Sequence, residues 1–255
     1  MNLDYFIYNE NDNLSFKSKS GNYITFYGDL NDYLIKNLML INDNSYITLN
    51  YTKASKKNLT KYYKLVRLSS NSLINTFHAE SVINELAFPL ESLGTIVKDM
   101  TFSIKDITNK FKFDVFLDKS PFSLSISKRV VLNIMCSLIV KPKLLIIDNL
   151  LSLLDKDDLE LVLSNLNEYK KEGMLIFNFD TDIENSLFGE EIIITNKDKI
   201  IISGKTISVL NEEKIMKRLG IGLPFIVLLN KYLKDYNLID NYILDYKTLG
   251  GVLWK

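Results

Sequence analysis

Two short apolar runs, KLLIID at 143–148 and MLIFNF at 174–179, flank the stretch DKDDLELVLSNLNEYKKEG at 155–173. A run that is apolar at successive positions must be covered on both faces, which is the habit of a strand in a parallel sheet. In the intervening stretch Leu159, Val162, Leu163, Leu166 and Tyr169 recur at helical spacing on one face. Asp157 and Asp158 fall in its first turn, Lys170 and Lys171 in its last, and Gly173 can close it. The three pieces predict a right-handed βαβ unit, the heart of a doubly wound α/β domain. Before it, SKRVVLNIMCSLIV predicts a helix with Val130, Val131, Ile134 and Leu138 on one face, stopped by Pro142.

The flanking regions differ in character. YFIY, LSFKS, YITFYG and YITLNY are aromatic and β-branched runs separated by Asn, Asp and Gly, and the N-terminal part therefore reads as β-rich. From about 81 to 112 the pattern is helical, but Leu86, Pro89, Leu90 and Leu93 fit one helix poorly, so Pro89 is expected to mark a boundary. IIITNKDKIIISG predicts a β-hairpin, and the chain from Glu212 onward reads as mainly helical.

Composition narrows the function classes. The 255 residues are 47% hydrophobic, enough for a substantial core, yet no window has the length of apolar sequence that a membrane span needs. Lys+Arg and Asp+Glu are both 31, a balance that gives no support for binding a nucleic-acid backbone, so no nucleic-acid partner is expected. Cys136 sits in an apolar helical run and reads as a small buried hydrophobe. His78 lacks a second His or Cys to complete a metal site and reads as a surface histidine. The opening MNLDYFIYNEND is acidic and aromatic, unlike a signal peptide, so a cytoplasmic chain docked on a membrane protein is expected.

Several segments carry chemistry-bearing patterns in a fixed order. KLLIID ends in Asp148 and continues as NLLSLLD, with Asn149, Ser152 and Asp155. A strand that ends in a carboxylate at the rim of a parallel sheet is how P-loop ATPases hold magnesium. LSISK at 124–128 precedes it, and SVINELAFPLESLG at 81–94 lies further upstream. GMLIFNFDTDIEN at 173–185 follows, then KRLGIGLPFIVLLNKYL at 217–233 and the closing LGGVLWK. YITFYG at 23–28 ends in Gly28 and runs into DLNDYLIKNLML. A phosphate loop needs G-x-x-x-x-G-K-[ST], and counting without gaps puts Tyr33, Leu34 and Ile35 at the second glycine, lysine and hydroxyl positions. Asp29 and Asp32 would repel a phosphate there.

In order and spacing these segments resemble the ATP-binding-cassette (ABC) ATPases, and more narrowly the ATP-binding subunits of energy-coupling-factor (ECF) transporters, from about Leu14 onward. The resemblance implies an α/β, P-loop NTPase-like ABC ATPase core with an N-terminal antiparallel β subdomain, a helical subdomain at about 75–140 and a C-terminal helical extension. Domain limits of 1–210 and 211–255 follow, with the extension as a subunit contact. By the same resemblance Asp148 stands at the Walker B carboxylate, Asn149 at the catalytic glutamate, Thr181 at the switch histidine and Asn71 at the Q-loop glutamine. Ser125 is what remains of the LSGGQ signature, although a plain helix N-cap by Ser125 or Ser127 fits those residues better. Ser152 and Asp155 stand in the D-loop that meets a second subunit, and Gly28 and Lys36 are vestiges of the phosphate loop.

With those substitutions the expectation is a degenerate ABC ATPase, a pseudo-ATPase with no intact catalytic residue and no cofactor at its own site. ATP and magnesium are expected only at a site shared with a partner, with Asp148 the sole metal ligand if magnesium binds. The expected partners are a homologous ABC ATPase subunit, in a heterodimer, and a transmembrane coupling subunit, at the inner face of the cell membrane. Two alternatives stay open: a working ATPase with a composite site, and a stand-alone interaction module on the same fold.

Overall fold

A computed structural model describes residues 5–42, 46–50 and 52–254. The ends of MNLDYFIYNEND, YITLNY and LGGVLWK at Met1–Asp4, Tyr51 and Lys255 lie outside the described residues. In chain order the strands are β1 (Tyr5–Asn11), β2 (Leu14–Lys19), β3 (Tyr23–Gly28), β4 (Tyr46–Leu49), β5 (Thr52–Lys53), β6 (Val66–Ser70), β7 (Leu144–Asp148), β8 (Leu175–Asp180), β9 (Glu191–Asn196) and β10 (Lys199–Lys205). The helices are α1 (Asn31–Leu38), α2 (Leu59–Leu65), α3 (Val82–Glu91), α4 (Val97–Phe111), α5 (Ile126–Leu138), α6 (Lys156–Lys171), α7 (Thr206–Leu210), α8 (Glu213–Leu219), α9 (Phe225–Asp235) and α10 (Tyr246–Leu253).

The strands form two sheets. One is antiparallel, in the order β2-β1-β4-β5. The other runs β10-β9-β3-β8-β7-β6, with β9, β3, β8, β7 and β6 mutually parallel and β10 antiparallel on the β9 edge. The expected β7–α6–β8 unit is present, and β7 and β8 are direct parallel neighbours. Alternate residues of these strands feed different cores. Leu145, Ile147 and Ile176 pack with α3, α4, α5 and α6. Leu144, Ile146, Leu175, Phe177 and Phe179 pack with α1 and the antiparallel sheet. Phe6, Phe26, Phe177 and Phe179 lie at its centre, almost fully buried, and each such ring contributes about 1.5–3 kcal/mol. A third core joins Ile192 and Ile194 of β9 to α7–α10.

Pro89 is not a boundary. It lies inside α3, and Leu86, Pro89 and Leu90 all face the core together; the break to α4 comes after Ser92. Proline removes the N–H that would bond the carbonyl four residues back, Glu85 O. The Cys136 thiol, from α5, lies 3.7 Å from that carbonyl and donates to it instead. The helix therefore continues through the proline with its orphaned acceptor met from another element.

Candidate functional site

The carboxyl ends of β3, β6, β7 and β8 lie side by side, so the residues that follow them converge at one rim of the parallel sheet. Asp148 ends β7. Its Oδ2 accepts from Ser70 Oγ at 2.7 Å, and its Oδ1 accepts from Asn149 Nδ2 at 2.9 Å. Asn149 adopts a left-handed backbone (φ 50), which asparagine tolerates better than most residues. Its N–H donates to Phe179 O at 2.9 Å, and its Oδ1 accepts from Thr181 Oγ1 at 3.1 Å. Asp148, Asn149 and Thr181 thus form one hydrogen-bonded chain across the ends of β7 and β8. Ser70 completes it. It lies 78 residues from Asp148 and was missed in the sequence, which singled out its exposed neighbour Asn71.

The segment after β3 has a different form from a phosphate loop. Only Asp29 and Leu30 separate β3 from α1. Tyr33, Leu34 and Ile35, placed in a loop by gap-free counting, are helical, and Leu34 and Ile35 are buried in the core. Tyr33 Oη donates to Glu10 Oε1 of β1 at 2.5 Å. Lys36 is exposed and pairs with Asp32 one turn back, at 2.6 Å. Asp29 accepts from the Lys197 backbone N–H at 2.8 Å, so both acidic residues of this segment are engaged locally. Asn31 is buried and donates to Asp180 O at 3.1 Å, which ties the start of α1 to the end of β8. Gly28 has φ 136, and a Cβ there would stand 2.2 Å from Thr195 O, so β9 closes directly over it.

At 124–128 Ser125 is the N-cap of α5, its Oγ accepting from Lys128 N at 3.3 Å. Ile126 stays exposed. Ser127 turns inward and donates to Asp158 Oδ2 at 2.6 Å, while Lys128 Nζ meets Asp158 Oδ1 at 2.6 Å. Asp155 caps α6 through Asp158 N at 3.0 Å, and its own N–H donates to Ser127 Oγ at 3.1 Å. This network welds α5 to α6 across 31 residues of sequence, and no local pattern announced it. Ser152 lies exposed in the short 3-10 turn at Leu151–Leu153. Behind the rim, Asp180 is buried and accepts from Asp182 N and Asn185 Nδ2. Burial raises its carboxyl above the ordinary range, and those bonds only partly offset the effect. Among the described residues no cluster of three His, Cys, Asp or Glu side chains could hold a metal, and no helix is long and apolar enough to cross a membrane.

The relatives carry names. The energy-coupling factor transporter ATP-binding protein EcfA1 of Mesomycoplasma hyopneumoniae strain J is 27% identical over 204 residues, spanning 79% of this chain and 73% of its own length. The protein of the same name from Oenococcus oeni is 24% identical over 253 residues, 96% of this chain and 91% of its own. Among solved structures, CbiO1 of Clostridium perfringens, described as part of the ABC transporter complex CbiONQ, superposes with a TM-score of 0.72. It is 19% identical and covers 90% of this chain and 99% of its own. No family model matches the sequence.

Proposed function

We propose that this chain, a homologue of ECF transporter ATP-binding proteins with the fold of an ABC ATPase, is a pseudo-ATPase that serves as a structural and coupling subunit. In this reading it pairs with an active homologous ATPase and docks on a transmembrane subunit at the inner face of the membrane. Residues 211–255 supply a subunit contact. Ser125, Ser152 and Asp155 face the partner's nucleotide site, and the chain's own site holds neither ATP nor magnesium.

One observation carries the reading: β3 passes into α1 through two residues, with Leu34 and Ile35 packed in the core where a phosphate loop needs its lysine and hydroxyl. Phosphoryl transfer depends on backbone N–H groups, a lysine and a metal around the γ-phosphate. Each electrostatic partner removed costs roughly a hundredfold or more in rate. Asn149 cannot serve as a base, and its amide is already shared between Asp148 and Thr181. The competing reading, a composite ATP site in this chain, draws support from Asp148 alone.

The test is purification of the chain with a homologous ATPase and membrane subunit from its own genome, followed by ATP turnover. The proposal expects a stable complex whose turnover vanishes when the homologue's phosphate-loop lysine is replaced. It also expects turnover to be unchanged by Asp148→Ala in this chain. Loss of turnover in the Asp148→Ala complex, with assembly intact, would overturn the proposal.

A further inference from the structure

A buried polar cluster lies behind the rim, on the face of the parallel sheet turned away from the aromatic core. Ile24, Phe26, Phe177 and Phe179 point into that core, so strand alternation turns Tyr23, Thr25, Asn178 and Asp180 to the other face. Thr25 of β3 sits directly opposite Asn178 of β8 in the parallel register. The 3-10 turn at Ile183–Phe188 packs back over both strands. Within it Asn185 Nδ2 donates to Asp180 Oδ2 at 3.0 Å, which brings the adjoining Ser186 over the sheet. Just past the turn, a Cβ on Gly189 would stand 2.8 Å from Thr25 Oγ1, so the chain closes over the threonine. Thr25, Asn178 and Ser186 are fully buried.

Several side-chain atoms of this cluster have no protein partner. Thr25 Oγ1, Ser186 Oγ, Tyr23 Oη and both amide atoms of Asn178 are buried, and among the described residues none makes a hydrogen bond. Asn178 lies near enough to Asp180 to favour the ionised carboxyl, yet no pair of their side-chain atoms has hydrogen-bond geometry. Exchanging the O and N of the Asn178 amide changes nothing, because both are unpartnered. Native folds rarely leave such groups unanswered, since each carries its full desolvation cost. The set mixes an obligate donor, Asn178 Nδ2, with an obligate acceptor, Asn178 Oδ1, and three hydroxyls that serve as either. A cation would satisfy the oxygens but would face the Asn178 N–H bonds. An anion would oppose Asn178 Oδ1 and lie beside the Asp180 carboxyl. Water donates and accepts, and it is held where two to four polar partners converge.

We infer that this cluster is a binding site for ordered water, bonded to Thr25 Oγ1, the Asn178 amide and Ser186 Oγ, and that the water joins the 183–188 turn to the parallel sheet. That turn connects two parts of the molecule. Thr181, just before it, bonds Asn149 at the rim, and Glu184 within it accepts the backbone N–H of Phe225, at the start of α9, at 2.7 Å. The water therefore lies under the link between the sheet rim and the C-terminal helices. The inference is independent of the chain's partners and of whether it binds nucleotide.

The experiment is a near-atomic-resolution crystal structure of the full chain, with a second crystal soaked in rubidium chloride. Solvent density is expected within about 3.2 Å of Thr25 Oγ1, of the Asn178 amide and of Ser186 Oγ, without anomalous signal from rubidium. The double substitution Thr25→Val, Asn178→Leu keeps the side-chain shapes while removing three of the polar atoms, and it is expected to lose that density with the strand register intact. Direct hydrogen bonds among Thr25, Asn178 and Ser186 with no solvent between them would overturn the inference. So would a rubidium peak at the site, which would assign it to a monovalent cation, or density that persists unchanged in the double variant. The wild-type crystals decide the question even where the variant fails to fold.

Discussion

Asp148 has both carboxylate oxygens engaged by protein donors, Ser70 and Asn149, and Thr181 completes the line through Asn149. Restoring one member should therefore not restore chemistry: Asn149→Glu is expected to leave ATP turnover of the isolated chain at the buffer rate in a phosphate-release assay. Gly28 is held more tightly still. With φ 136 and Thr195 O in the place of a Cβ, Gly28→Ala is expected to lower stability by about 2–4 kcal/mol, read from urea midpoints. Asp180 gives a pH dependence. Its folded carboxyl titrates above the unfolded one, so its stabilising contribution is present below the unfolded pKa and is lost as pH rises through the folded pKa. Asp180→Asn removes that loss, so the melting temperature of the variant minus that of wild type is expected to rise from about pH 4 to about pH 7. A difference independent of pH would show that burial does not perturb this group.

The α5–α6 junction is where element-scale energetics concentrate. Asp155→Ala removes an N-cap and is expected to cost about 1 kcal/mol. Asp158→Ala strands Ser127 and Lys128 beside a buried void, and about 3 kcal/mol is expected in the same urea titration. Equal costs would mean that the Lys128–Asp158 pair contributes nothing beyond the cap. This junction also marks the limit of what the sequence discloses. β7, β8 and α6 were legible because their apolar spacing is a local property, and the N-cap of α5 was legible as Ser125 or Ser127 because capping depends on residues three apart. Ser127–Asp158 and Ser70–Asp148 were not, because nothing near either residue names a partner 31 or 78 positions away. Pro89 misled for the same reason: the thiol that meets Glu85 O lies 51 residues downstream. At the start of α1, counting without gaps presumed a loop between strand and helix. The burial of Leu34, Ile35 and Leu38 explains why helix begins at once.

Across the whole molecule, three cores hold an ABC ATPase architecture whose packing needs only apolar residues at the right period. The rim of the parallel sheet can then change its residues while the strands beneath keep their register. The proposed function requires that the two-residue junction from β3 to α1 offer no cradle for a triphosphate. Calorimetric titration of the isolated chain with ATP and magnesium tests it most directly. The account predicts no saturable heat up to about 1 mM nucleotide, and magnesium-dependent binding with a Kd of about 10 μM or tighter would contradict it.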